Sequence, residues 1–346
     1  MKTEQFDYPL PKSLIAQYPP PERGQSRLMV VHRTSGAIEH RSFQEVFHCF
    51  SPGDLLIINN TRVLPARLIG RKETGGRCEV LLLPQWNGGG NGAKGEWKAL
   101  VKGIRGTTGR SRISFERGLE AEVTEIRDGR ARIRFSDPEG VIDILKRIGH
   151  IPLPPYIKRS DEPSDRDRYQ TVFAERDGSI ASPTAGLHFT EETLRLIKEN
   201  GVGIASITLH VGPGTFRPLK SEEVEDHVME SEWTEISQGT SREIELTKKR
   251  GGRVIAIGTT TTRALESFST PGGQVKPGID YSSLFIHPPY SFRVVDGLVT
   301  NFHLPKSTLM MLVAAFAGRD LLMKAYQEAV KQKYRFYSYG DAMLIL

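Results

Sequence analysis

Along most of this 346-residue chain, apolar stretches alternate between strand-like and helix-like spacing, but one segment breaks that rhythm. From Val63 to Phe135 the runs ARLIGRK, CEVLLLPQW, EWKALVKG, RSRISFE, LEAEVTEI and RARIRF follow one another with no helical period between them. Six strands without a helix predict a compact antiparallel β-barrel or sandwich. Asp128-Gly129 marks a tight hairpin between the last two, and the low-complexity loop from Gly88 to Gly95 has no phosphate-cradling spacing.

Before this segment, SRLMVVHR and DLLIINN read as strands, with SFQEVFHCF a short helix between them. After it, Asp137-Pro138 opens a helix through ILKRI that stops at Gly149, IPLPPYIKR is a stiff return, and Ser160 to Gln170 reads as an exposed linker. Beyond Tyr169 the helix TEETLRLIKENG, the strand GVGIASITLHV, the helix SREIELTKKRGG, the strand RVIAIG, the helix TTRALESF and the strand SLFIH succeed one another. This alternation predicts an α/β fold, a mixed sheet covered by helices. Residues 1–62 and 153–346 would form that main domain, with residues 63–152 an inserted six-stranded antiparallel β-barrel domain.

The stretch DGLVTNFHLPKSTLMMLVAAFAG, Asp296 to Gly318, joins a polar start to an apolar helix. Pro305 and Ser307 open the helix, Thr308 to Ala317 is apolar on every face, and Gly318 offers a left-handed stop. About ten apolar residues fall well short of the ~20 of a membrane span, so the helix belongs in a core. Thr300, Asn301, His303 and Lys306 crowd its N-terminus, where partial positive charge suits an anion; simple capping is the bland alternative.

Composition, 38% hydrophobic and 25% charged, is that of a soluble globular protein. MKTEQFDYPLPKSL carries no export signal, which makes the cytoplasm the expected location. Cys49 and Cys78 lack metal-ligand spacing, so no metal is expected. The net charge of +6 is local: between Arg67 and Arg117 eleven Lys/Arg face four Glu. A barrel with that surface, including Arg71, Lys98, Lys102 and Arg105, suits a phosphate backbone, unless these are merely solvated strand faces.

Ligands of α/β sheets bind beyond the carboxyl ends of the strands, and three more polar loops fall there. TLHVGPGTFRP carries His210, VIAIGTTTTRALES carries Thr259, Thr260, Thr261 and Arg263, and SPTAGLHFT carries Thr184 and His188. Arg62 follows the strand DLLIINN directly. No GxGxxG follows the first strand, and neither GxxxxGK[ST] nor GxSxG occurs, which removes support for the usual dinucleotide, nucleotide and hydrolase readings.

These loops, with SLIAQYP, PGDLLIINNTRVLPARL, IPLPPYI, YQTVFA and YRFYSYGDAML, resemble the S-adenosylmethionine:tRNA ribosyltransferase-isomerases of queuosine biosynthesis almost end to end. Three positions depart from that family's usual pattern: Pro213 replaces a small residue, Glu230 a His and Pro288 a Gly. The resemblance implies transfer of the ribosyl carbons of S-adenosylmethionine to 7-aminomethyl-7-deazaguanine at the tRNA wobble position, giving epoxyqueuosine-tRNA, adenine and methionine. S-adenosylmethionine is then a consumed substrate, with no further cofactor, and the enzyme is expected to work as a monomer.

On that resemblance His188, His210 and His303 are the candidates for proton exchange near neutral pH, with Glu232 a further carboxylate. Arg62, Arg263 or Lys306 would hold the methionine carboxylate, Thr259 to Thr261 the ribose, and Thr184 and Asn301 complete the pocket. The barrel would grip the anticodon arm. A non-catalytic RNA-binding protein and a transferase or hydrolase for a small anion are the rival classes.

Overall fold

Four parallel strands form the middle of the main sheet: Gly203–Leu209, Leu55–Asn59, Val254–Ile257 and Gly297–Asn301. The computed structural model describes residues 1–83, 96–104, 111–127, 129–136, 140–216, 219 and 221–346. Flanking strands, antiparallel in every pairing except the parallel one between Ala342–Ile345 and Arg27–Val31, extend the sheet to nine, with Glu232–Ile236 and Gly278–Ser282 on one side. Ala342–Ile345, Arg27–Val31 and Ile38–Ser42 complete the other. It is the mixed sheet that the alternating pattern predicted.

Period-two alternation sends successive side chains to opposite faces, and both faces are apolar here. Leu55 and Ile57 join Met29 and Val31 in one cluster, which Met310, Met311, Val313 and Phe316 complete. Leu56 and Ile58 join Leu28 and Val30 in the other, closed by Phe43, Phe189 and Ile197. The helix Thr308–Ala317 begins where Ser307 Oγ accepts the Met310 amide at 3.2 Å, and ends at Gly318 with φ 85°. Only Leu309 and Ala315 of its ten residues escape burial. At about 1.5–3 kcal/mol per large buried side chain, that burial holds the polar loop ahead of it against the sheet.

The second module is a closed six-stranded barrel, and every pairing in it is antiparallel. In order around the barrel its strands are Arg130–Phe135, Glu96–Lys102, Arg77–Leu83, Arg67–Lys72, Ser111–Ser114 and Glu120–Arg127. Cys78, Val80 and Leu82 point inward while Arg77 is exposed. The helix Val141–Ile148 adds Val141 and Leu145 to the barrel core. Gly149 follows because a Cβ there would fall 1.8 Å from the Pro65 carbonyl oxygen, so close approach and not a left-handed turn demands glycine.

Several expectations need correction. SLFIH is not a strand; the strand is Gly278–Ser282, a short edge strand exposed except at Ser282, whose two alternating apolar residues, Ile279 and Tyr281, face solvent. The stretch from Ser160 to Gln170 is no exposed linker. Asp165 within it is 1% exposed, bound by Arg159 at 2.6 and 2.8 Å, by the Glu162 amide and by the Tyr339 hydroxyl. Phe43–Cys49 forms 3₁₀ turns. The Gly88–Gly95 loop, Asp128 and Asp137-Pro138 lie outside the described residues.

Candidate active site

The carboxyl ends of three of the four parallel strands, Gly203–Leu209, Val254–Ile257 and Gly297–Asn301, together with the turn Thr184–His188, line a cleft open to solvent. Gly258, with φ 100° and ψ 151°, turns the strand Val254–Ile257 directly into the helix Thr259–Ser267. No side chain caps that helix, so the first-turn amides and the helix dipole face the cleft beside Thr259 and Thr260. Ser307, at the start of the second helix, lines it as well. The polar wall is completed by Ser182, Thr184, Asn301 and His303, and Tyr156 and Tyr337, with ring centroids 4.6 Å apart, give an aromatic side.

Of the three candidate histidines only His303 lines this cleft. Its Nε2 lies 2.7 Å from Thr300 Oγ1, its amide donates to the Tyr326 hydroxyl oxygen, and its carbonyl accepts the Tyr8 hydroxyl. His188 sits behind the wall. Asn301 Nδ2 donates to His188 Nε2 at 2.9 Å, so His188 Nδ1 carries the proton and donates to Ser26 Oγ at 2.7 Å. Thr184 Oγ1 in turn donates to Asn301 Oδ1 at 2.9 Å, which fixes the orientation of that amide. His210 lies outside the lining, bonded to Thr61 Oγ1 at 2.7 Å and stacked on Trp233 at 4.8 Å.

The expectation that these imidazoles titrate near neutrality does not survive their burial. Desolvation pushes each down to about 3; the charges of Arg23 and Arg335 add to this at His188, and that of Arg176 at His210. All three are therefore neutral at physiological pH.

The cations expected in the cleft are elsewhere. Arg263 is buried in an ion pair with Glu232, whose Oε1 accepts the Gly212 amide at 2.9 Å, and burial lowers the guanidinium to about 10. Lys306 Nζ pairs with Asp7 at 2.8 Å, and Arg62, the one exposed residue of the strand Thr61–Val63, donates to the Ala174 carbonyl. Thr261 turns its hydroxyl to the Ile257 carbonyl at 2.7 Å, away from the cleft. On the barrel, Arg71, Lys98 and Lys102 are exposed, whereas Arg105 lies outside the described residues. Glu230 bonds barrel residue Arg130 at 2.9 Å and covers Gly214, where a Cβ would come within 2.6 Å of its carboxylate. Pro288 forms a cis peptide with Pro289.

Sequence reasoning missed Ser182, Tyr156, Tyr337 and Ser338 as wall residues. The signal was present in IPLPPYI and YRFYSYG, runs with more polar and aromatic groups than a turn needs. Ser182 Oγ is the most telling, since it is buried and has no hydrogen-bond partner among the described residues.

Fold and cleft describe a two-module α/β protein, with a polar cleft at the carboxyl edge of its mixed sheet and a closed barrel carrying exposed basic residues as the second module. Residues 3–345 match the family model described as queuosine biosynthesis protein. Full-length relatives from Halothermothrix orenii, 51% identical, and Geotalea uraniireducens, 49% identical, are aligned over 100% of both chains. Both are named S-adenosylmethionine:tRNA ribosyltransferase-isomerase. The crystal structure of a Thermotoga maritima S-adenosylmethionine tRNA ribosyltransferase, 37% identical, covers 99% of this chain and 100% of its own at a TM-score of 0.55. The chain belongs to the queuosine biosynthesis family, the S-adenosylmethionine:tRNA ribosyltransferase-isomerases, and is an enzyme of that class. Among the described residues no helix is long and apolar enough to cross a membrane, and no group of side chains is arranged to hold a metal ion.

Proposed function

We propose that S-adenosylmethionine binds in this cleft and gives up its ribosyl carbons to 7-aminomethyl-7-deazaguanine at the wobble position of tRNA. The carbons rearrange to an epoxycyclopentanediol, which makes the product epoxyqueuosine-tRNA, and adenine and L-methionine leave. The donor is consumed, and no separate cofactor takes part. The observation that carries this reading is the wall itself: two helix N-termini, seven Ser/Thr hydroxyls, an amide and one imidazole around a single hollow.

The amides at Thr259 and Thr260 suit the methionine carboxylate, a role the displaced cations leave open. Tyr156 and Tyr337 offer aromatic faces to the sulfonium or the purine. The sulfonium acidifies the adjacent C5′ hydrogens, and His303, the one candidate imidazole on the cleft wall, accepts the proton; burial opposes that role, and the bound substrate has to offset the cost. Arg71, Lys98 and Lys102 on the barrel receive the phosphates of the anticodon arm.

The test is free adenine released from S-adenosylmethionine by the full chain, with an anticodon stem-loop that carries or lacks the aminomethyl base. Release only with the modified base is expected; release without RNA would contradict the reading. Charge reversal at Lys98 and Lys102 should weaken RNA binding and leave S-adenosylmethionine binding unchanged.

A further inference from the structure

Behind the His188 wall lies a second, smaller pocket open to solvent, lined by Pro19, Pro20, Arg23, Arg168 and His188, which shares Ser338 with the first. Its two guanidiniums bond only backbone carbonyls among the described residues. Arg23 donates to Leu187 at 3.1 Å and Asp167 at 2.9 Å, and Arg168 to Pro21 at 2.8 Å and Pro20 at 2.6 Å. Arg335 donates to the Tyr18 carbonyl at the edge of the same loop. The nearby acids are Asp167, felt by Arg23; Asp341, felt by Arg335, with a carboxylate that already accepts the Arg27 and Arg335 amides; and Glu162, which accepts the Tyr18 hydroxyl at 3.1 Å. Burial first, and the Arg168 charge second, lower the Arg23 guanidinium, a strain that an anion between the two would relieve.

Tyr18, one residue before the lining prolines, is 51% exposed and carries the Arg159 guanidinium on its ring at 4.2 Å. An exposed aromatic ring beside paired guanidiniums fits an unstacked base and its phosphate. A small carboxylate needs no such platform. We propose that the Arg23–Arg168 cavity is a phosphodiester site for single-stranded RNA, which holds a backbone phosphate of the anticodon loop next to the cleft. It rests on the reading of the cleft given above. The hydrogen-bonded chain Ser26–His188–Asn301–Thr184, with links of 2.7, 2.9 and 2.9 Å, joins this site to the cleft wall.

The experiment measures stem-loop affinity over a salt series for the full chain and for Arg23→Gln, Arg168→Gln and Arg23→Lys. Each Gln variant is expected to lose about tenfold or more in affinity and to flatten the log–log salt slope by about 0.7. Arg23→Lys keeps the slope, and affinity for S-adenosylmethionine stays unchanged in all three. An unchanged slope in the Gln variants overturns the proposal, as does loss of S-adenosylmethionine affinity with the slope intact, which would make the cavity a carboxylate site. Should a Gln variant fail to fold, modification of the wild-type protein by a guanidinium-specific reagent, mapped by mass spectrometry, decides. Protection of Arg23 and Arg168 by the stem-loop is expected; absence of protection, or protection by S-adenosylmethionine alone, overturns it. Wild-type adenine release is followed alongside. Its absence would refute the cleft reading, whereas normal release with unaltered salt slopes would refute only the phosphate site.

Discussion

The Arg263–Glu232 pair gives the sharpest physical prediction, because both partners are almost completely enclosed, with side chains 5% and 4% exposed. Glu232 starts the strand Glu232–Ile236 and holds the Gly212 amide, while Arg263 rises from the helix whose N-terminus faces the cleft. Removing one charge strands the other away from water, at a cost of about 3–5 kcal/mol for a buried pair. Glu232→Leu and Arg263→Met should each lose about that much in urea unfolding. The double variant removes both charges together and should recover at least ~2 kcal/mol of the summed loss, a coupling of the size expected between contacting residues. If the losses add with no coupling, or if either single variant loses less than about 1 kcal/mol, the two groups do not stabilise the fold as a buried ion pair. If the pair only positions the Thr259 helix and the Gly212 loop, the double variant keeps adenine release within about tenfold of wild type, a loss of about 1.4 kcal/mol or less in transition-state stabilisation.

Two further predictions concern the buried polar groups. Because His188, His210 and His303 are held near 3 when folded against an ordinary 6.5, the unfolded chain binds more protons between those values. Stability is thus fully present above pH 6.5 and falls on acidification toward 3, by about 1.4 kcal/mol per pH unit for each imidazole. His188→Gln should reduce the slope of unfolding free energy against pH by that amount, and an unchanged slope would contradict the burial argument. Ser182→Ala should leave the unliganded protein as stable as wild type or more so, since it removes a buried hydroxyl without a partner among the described residues. The same variant should weaken S-adenosylmethionine binding in calorimetry by about 0.5–1.5 kcal/mol; equal affinity would exclude that hydroxyl from the ligand.

Much of the fold could be read from periodicity. The barrel strands announced themselves because each buries alternate residues, as Cys78, Val80 and Leu82 do, and the helix after Ser307 did so through a cap, an apolar run and a left-handed glycine. Edge strand Gly278–Ser282 escaped notice because its apolar alternation is only two residues long, Ile279 and Tyr281, and both face solvent. At the site, strand ends were legible and side-chain directions were not. Thr184, Thr259, Thr260, Asn301 and His303 line the cleft, yet their neighbours Thr261, Arg263 and Lys306 turn aside to a carbonyl and two carboxylates. Those partners are remote in the chain or set by helix geometry, so no local pattern reveals them. Asp165 illustrates the same limit: in a highly charged stretch it looked solvated, but Arg159 and Tyr339 draw it into the interior.

The most direct test of the account follows carbon atoms. S-adenosylmethionine labelled either in its ribosyl carbons or in its methyl group is incubated with the full chain and tRNA bearing 7-aminomethyl-7-deazaguanine. The account predicts that ribosyl label enters the RNA, with one adenine and one methionine released for each transfer, and that methyl label leaves with methionine. Methyl label in the RNA, or adenine release with all ribosyl label left in solution, would contradict it.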